Sequence, residues 1–274
     1  MFNKILLGGI VACLFIGLSF ALYPTISNAI YEYHVKRVVK DYNDSVAQLD
    51  AEKRKEEWRL AEQYNLAVLN ADSQIRDSFT YQSEKQEGYQ DILNTDGNGM
   101  MGVISIPKIN VKLPILHGDN ESVLYRGIGH MPNTSLPIGG VGNHSVLVGH
   151  SGISHATLFS HLTDLAVGDT FTIQVMNRTM NYEVVSTKVV TPEQNADLYP
   201  VEGKDLVTLL TCTPIGVNSH RLLVRGERTS DILQTVTINP GLSTGELLFI
   251  ATIAVVSFVV IGVLVHGARK RRSA

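Results

Sequence analysis

The chain has 274 residues, of which 44% are hydrophobic and only 18% charged. Its 23 basic and 26 acidic side chains leave a net charge of −3, so no basic excess exists to hold a nucleic-acid backbone. Two cysteines, Cys13 and Cys212, exclude a disulfide-stapled scaffold; 23 glycines and 9 prolines without a repeat exclude a collagen-like or low-complexity chain.

Ile5 to Tyr23 is a run of nineteen uncharged residues, closed by Pro24. At roughly 1.5 Å per residue it spans about 28 Å, near the thickness of a bilayer core. An uncleaved anchor is predicted over a cleaved signal peptide, because the small-residue site at Ser19-Phe20-Ala21 is poorly formed. Ile10-Val11-Ala12-Cys13 looks like a lipid-attachment box, yet the apolar run continues ten residues past Cys13, where a lipoprotein turns polar. Cys13 therefore reads as a small apolar residue.

From Tyr42 to Asn70 there is no Gly or Pro, and Val46, Leu49, Trp58, Ala61, Tyr64 and Val68 recur mostly at spacings of three or four. That pattern predicts an amphipathic helix, with Asp44 or Ser45 as its cap. The mixed charges of Glu52 to Glu57 read as a solvated face. Asp72 to Asn98 is polar and irregular, a loop with room for a short helix.

Beyond Met101 the pattern turns to short β-type runs separated by Gly, Pro, Asn and Asp. These are Gly102–Ile106, Val111–Leu116, Val123–Arg126, Ser145–Val148, Thr170–Met176, Tyr182–Val190, Leu206–Cys212 and Leu222–Arg225. Eight short strands without long helices between them predict a mainly β fold, a closed or nearly closed barrel. His155 to Leu165 is read as one short helix between strands. Leu247 to Val265 is a second nineteen-residue uncharged run, followed by Arg269, Lys270, Arg271 and Arg272, which is a stop-transfer pattern. Both termini are then cytoplasmic, with residues from about 24 to 246 outside.

Cys212 is the only cysteine outside the apolar ends, and it sits where a strand gives way to the turn Thr213-Pro214-Ile215-Gly216. Mid-strand, a lone cysteine is usually a small hydrophobe; at a strand end it is expected to be exposed and rigidly held. Arg221 opens the next strand nine residues on, and if the two strands are neighbours its cation favours the thiolate or holds an oxyanion. Of nine histidines, His150 stands out, at a strand end and in the Gly-flanked run Gly149-His150-Ser151-Gly152. His130, His144 and His220 are its rivals; His34, His117 and His266 lack such a setting. No HExxH or CxxC spacing is present, so neither a metal nor another cofactor is expected. Gly149 to Ile153 is not a GxSxG elbow, and no paired carboxylates stand at strand ends.

Thr208-Leu209-Leu210-Thr211-Cys212-Thr213-Pro214 and the segment Gly216 to Gly226 resemble the TLxTC signature and the distal arginine segment of the sortases. Gly149-His150 is similar to that family's histidine loop, Ile104 to Ile109 to its opening barrel strand, and Gly129 to Pro137 to the segment that follows. The helical arm, Leu22-Tyr23-Pro24 and the C-terminal apolar run resemble class C, the pilin-polymerising sortases of Gram-positive bacteria. That class carries a lid with an Asp-Pro-aromatic motif; here Asp77-Ser78-Phe79 stands at the matching place, with Ser78 where proline would fix φ.

The resemblance implies an eight-stranded sortase-type barrel with an N-terminal helical arm and lid, flanked by two membrane helices. The divisions are 1–24 (anchor or signal), 25–98 (arm and lid), 99–232 (barrel), 233–246 (linker), 247–265 (membrane helix) and 266–274 (basic tail). It implies catalysis by Cys212, His150 and Arg221. An LPXTG-type sorting motif is cleaved between Thr and Gly through a thioacyl enzyme, and a lysine amine of another pilin subunit resolves it. Partners are then LPXTG-bearing pilins and the membrane. Asp77 would face Arg221 and Phe79 would cover the Cys212 sulfur. Three rivals remain open: a housekeeping sortase acting on peptidoglycan, a cysteine peptidase in which water resolves the acyl enzyme, and a non-catalytic membrane-tethered interaction protein.

Overall fold

The structure, a computed structural model, describes residues 2–71, 74–81, 88–154 and 156–229. The linker 233–246, the apolar run Leu247–Val265 and the basic tail 266–274 lie outside the described residues.

Helix α1 spans Phe2–Gln48 without a break. Pro24 sits inside it, and no helix start exists near Tyr42. Proline removes one intrahelical donor, but the residues on both sides of Pro24 remain helical. Asp44 is not a cap; its carboxylate pairs with Lys40 at 2.6 Å on the helix surface. The true break is at Leu49–Asp50, where Asp50 Oδ1 accepts from the Lys53 N–H at 2.7 Å and starts α2, Ala51–Asn70. Val35, Val39, Tyr42 and Val46, one face of α1, are buried. The Tyr42 hydroxyl donates to the Met101 carbonyl (3.1 Å) and accepts from the Met176 N–H (2.8 Å), fixing the arm to two strand ends.

Eight strands form a closed barrel: β1 Met100–Ile106, β2 Val111–His117, β3 Ile128–His130, β4 His144–Val148, β5 Thr170–Val175, β6 Arg178–Val190, β7 Leu206–Thr213 and β8 His220–Arg228. Their order around the barrel is β1-β2-β3-β4-β7-β8-β6-β5, with β5 returning to β1. Closure leaves no unpaired edge. The β2/β3 and β4/β7 pairs are parallel; the rest are antiparallel. Ile104, Ile115, Leu147, Phe171, Ile173, Tyr182, Leu209 and Val224 are fully buried in its core.

Two local expectations are corrected. Val123–Arg126 is not a strand: Glu121–Leu124 is the short helix α3, capped by Asn120, whose Oδ1 accepts from the Val123 N–H at 3.2 Å. The cap outcompetes the weak β pattern there, and the third strand is the three-residue β3 just beyond, too short to show a period. His155–Leu165 does not form one helix; only Leu162–Asp164 makes a 3-10 turn, and Leu158 adopts a left-handed φ of 38° that breaks any helical run.

Candidate active site

Cys212 lies near the end of β7, and its register partner on β8 is Arg221. Side chains of antiparallel partners leave the sheet on the same face, with Cβ atoms about 5 Å apart. β4 runs parallel to β7, with Val148 opposite Leu210. The loop after β4 is tied to the same end of β7 by three bonds. The Gly149 N–H donates to the Leu210 carbonyl (3.0 Å), Thr211 Oγ1 to the Gly149 carbonyl (2.6 Å), and Ser151 Oγ to the Cys212 carbonyl (2.7 Å). His150 is thereby held at the level of Cys212. Gly149 is required by contact: a Cβ there would stand 2.7 Å from both Ile128 Cδ1 and Phe159 Cδ2.

The strand end is not exposed as expected; Cys212 is only 8% exposed. The segment ahead of the barrel lies over it. Arg221 Nε donates to Asp77 Oδ1 at 2.6 Å and Nη2 to Oδ2 at 2.8 Å, a bidentate pair with both residues buried. Its Nη1 donates to the Asn218 and His220 carbonyls, each at 3.0 Å. The Phe79 ring centroid is 5.2 Å from the Arg221 guanidinium carbon and 5.6 Å from the His150 ring. Tyr125 flanks His150 on another side, again at 5.6 Å.

This arrangement corrects the electrostatic expectation for the thiol. Burial pushes the Cys212 pKa up; Arg221 pulls it down, and the Asp77 carboxylate pushes it up again. The net direction is upward, toward thiol, because burial outweighs the pull of Arg221, and Asp77 adds to it. Burial works against the Arg221 charge, but Asp77 more than offsets this, and the Arg221 pKa is raised.

Ser78 does not leave the segment loose. Its hydroxyl donates to Asp119 Oδ2 at 2.5 Å, with both residues buried. Thr80 Oγ1 donates to Asp77 Oδ2 (2.7 Å), and the Tyr81 N–H to the Asp77 carbonyl (2.9 Å), closing a turn. Upstream, Ile75 is buried among Leu198, Leu210 and Leu223. Asn195 Nδ2 donates to its carbonyl (2.5 Å), and its N–H donates to the Tyr199 hydroxyl (3.3 Å). Sequence reasoning missed Ile75, Asp119, Tyr125, Asn195 and Tyr199. Only Ile75, a lone aliphatic residue in a polar stretch, carried a signal.

The rival histidines serve the fold. His130 is fully buried, with the Tyr89 hydroxyl 2.8 Å from Nδ1, and burial pushes its pKa down to about 3. His144 lies 2.7 Å from Thr208 Oγ1 and 2.9 Å from the Tyr199 carbonyl, with its pKa pushed down to about 4 by burial. His220 pairs with Thr213 in the ladder and bonds to Ser219 Oγ at 2.8 Å. Among the described residues, no group of three or more His, Cys, Asp or Glu is placed to hold a metal.

A closed barrel that brings a thiol, an imidazole and a guanidinium to one rim defines a cysteine-nucleophile acyl-transfer class. Residues 104–229 match the sortase domain family. The solved sortase C1 of the GBS pilus island 1 is 38% identical and superposes with a TM-score of 0.66, covering 73% of this chain and 94% of that one. Sortase C-1 of Actinomyces oris is 45% identical with a TM-score of 0.61, covering 64% of this chain and 98% of that one. Sortase A of Bacillus anthracis is 31% identical over 132 residues, 48% of this chain and 61% of that protein. The chain spans less than two thirds of that curated relative and of Bacillus subtilis sortase D, where the share is 64%. The chain belongs to the sortase family and stands with its class C members.

Proposed function

We propose that the protein is a cysteine transpeptidase that joins pilin subunits, with Cys212 as nucleophile, His150 as acid and base, and Arg221 as oxyanion donor. Cys212 Sγ attacks the carbonyl carbon between Thr and Gly of an LPXTG-type motif. The C–N bond breaks, and His150 gives the leaving amine its proton. The thioester retains the acyl group's reactivity, so no nucleotide is needed outside the cell. A lysine ε-amine of the next subunit attacks it, His150 takes up a proton, and the Cys212 sulfur leaves as an isopeptide bond forms. Arg221 acts fully on the oxyanion only after Asp77 releases it, since four of its five N–H donors are bonded in the closed state.

Asp77, Ser78 and Phe79 form the lid in this reading. The observation that carries it is the juxtaposition of Cys212 and Arg221 in one ladder, covered by the Asp77–Arg221 pair. The pilus context of the solved relatives supports a pilin as substrate. α1 is long and apolar enough to cross a membrane, which supports a membrane-held enzyme; in this reading its barrel lies outside the cell and its N-terminus inside.

The test is intact mass of the protein incubated with an LPXTG peptide, with Asp77→Ala beside wild type and Cys212→Ala as blank. An increase equal to the acyl fragment, absent from the blank, is expected. Added lysine-bearing pilin should then yield the ligated product; release of free acid despite abundant amine would instead identify a peptidase. No adduct with LPXTG or with pilin-derived motifs would sink the catalytic reading.

A further inference from the structure

One face of α1 changes character along its length. Ile26, Ile30 and Tyr33 recur at spacings of four and three and are 53%, 64% and 73% exposed. The same face continues as Arg37, Lys40, Asp41 and Asp44, which are exposed and ion-paired. On this face the switch from apolar to charged falls between Tyr33 and Arg37; the chain as a whole stays uncharged from Ile5 through Tyr31, and Glu32 is the first charged residue after Lys4. Thr25, Asn28 and Glu32 lie away from this stripe, toward the side that carries Val35, Val39 and Tyr42 against the barrel.

An exposed apolar stripe contiguous with a membrane span, bearing tyrosine and ending in Lys36 and Arg37, has the pattern of a helix in the headgroup layer. The length agrees. Ile5 to Tyr33 is about 43 Å of helix, close to the roughly 40–45 Å of a bilayer with both headgroup regions.

The barrel touches α1 at this level. The Tyr31 hydroxyl donates to the Arg126 carbonyl at 3.2 Å. The next hydrogen bonds from α1 to the barrel, Tyr42 with Met101 and Met176, lie eleven residues on, about 16 Å farther along the axis, with Val35 and Val39 buried in between. The corner after α3 is therefore the near end of the barrel, and it carries Tyr125, whose ring packs on His150.

Resting on the membrane-anchored reading above, we propose that residues 23–33 of α1 lie in the headgroup layer of a phospholipid bilayer and hold the Tyr125–His150 rim of the barrel at the membrane surface. The site then faces chains that are themselves held in the bilayer, with the scissile bond a short reach above it.

The full-length chain is placed in phosphatidylcholine–phosphatidylglycerol vesicles carrying a spin-labelled lipid, and tryptophan emission is read. Trp58 of the wild type supplies the baseline. Tyr33→Trp and Tyr125→Trp should each lose roughly half of the added emission to a label near the glycerol, consistent with burial about 5–10 Å into the interface. Asp44→Trp should lose none, and Ile16→Trp should be quenched by a label near the chain ends. Quenching at 16 without quenching at 33 and 125 would keep the anchor and overturn the interfacial placement. A blue-shifted, unquenched Trp at 33 would assign the stripe to a second copy of the chain. No quenching at 16 would overturn the anchor and this proposal together.

Discussion

Cys212 and Arg221 face each other across the β7–β8 ladder, yet the Arg221 guanidinium is turned to Asp77, which binds it through two nitrogens at 2.6 and 2.8 Å. The nucleophile and its cation are adjacent by register but separated in effect by a carboxylate from another part of the chain.

Removing that carboxylate should activate the thiol. Burial and Asp77 both raise the Cys212 pKa, so less thiolate is present at neutral pH. Asp77→Ala removes one cause directly and relaxes the other by loosening the cover. The alkylation midpoint of Cys212 should move to lower pH, and the rate at neutral pH should rise as the thiolate fraction grows and the cover loosens. Rate–pH profiles with iodoacetamide measure this. An unmoved midpoint would mean that Asp77 does not control the thiol.

The Ser78–Asp119 bond gives a second handle on the same segment. A hydrogen bond to a charged, buried acceptor contributes about 1.5–3 kcal/mol. Ser78→Ala should therefore raise Cys212 alkylation by roughly ten-fold or more while both residues of the Asp77–Arg221 pair are kept. Asp119→Asn should do the same, and the double variant should fall short of additivity. Ser78→Pro separates two ways of holding the segment, since it restores a fixed φ but removes the hydroxyl. Closure as tight as wild type in Ser78→Pro would show that the bond substitutes for a ring.

Arg221→Lys tests the fork geometry. Lysine keeps the charge but cannot present two parallel donors. In an Asp77→Ala background, where closure no longer masks the result, acylation by an LPXTG peptide should fall by about 100-fold, the loss expected for one oxyanion donor. Stopped acylation followed by mass reads it. Equal rates for the Arg and Lys forms would reduce Arg221 to a simple countercharge.

Acid should destabilise the barrel through His130 and His144. Their folded-state pKa values are pushed down to about 3 and about 4, below the unfolded value near 6.5. The unfolded chain binds more protons in that interval, so stability is full above about pH 6.5 and is lost as pH falls toward 4. The loss is up to about 1.4 kcal/mol per pH unit for each histidine. Thermal melts should drop steeply between pH 6.5 and 5, and His144→Gln should flatten that slope. A flat melting temperature across the interval would contradict the buried neutral state.

The closed β-barrel could be read from the linear chain, and Cys212, His150 and Arg221 stood out there as candidates by their strand-end settings, because both rest on local information. Alternating apolar runs bounded by turn residues mark strands, and the TLxTC and histidine-loop segments are contiguous. The place of Asp77 opposite a cation was implied by the class C resemblance. Local reasoning failed where the outcome depended on partners distant in sequence. A cap at Asn120 made a helix of a strand-like run, and a three-residue strand existed only through its neighbours. Pro24 did not end α1, whose break was set instead by the Asp50 cap. Above all, the sign of the Cys212 shift was not contained in Cys212 and Arg221. It depended on burial and on a carboxylate 135 residues upstream in the chain, Asp77, whose distance to the guanidinium only folding sets. Residue type determines what chemistry is available; which charge stands next to which, and how much water is left between them, is decided by tertiary packing.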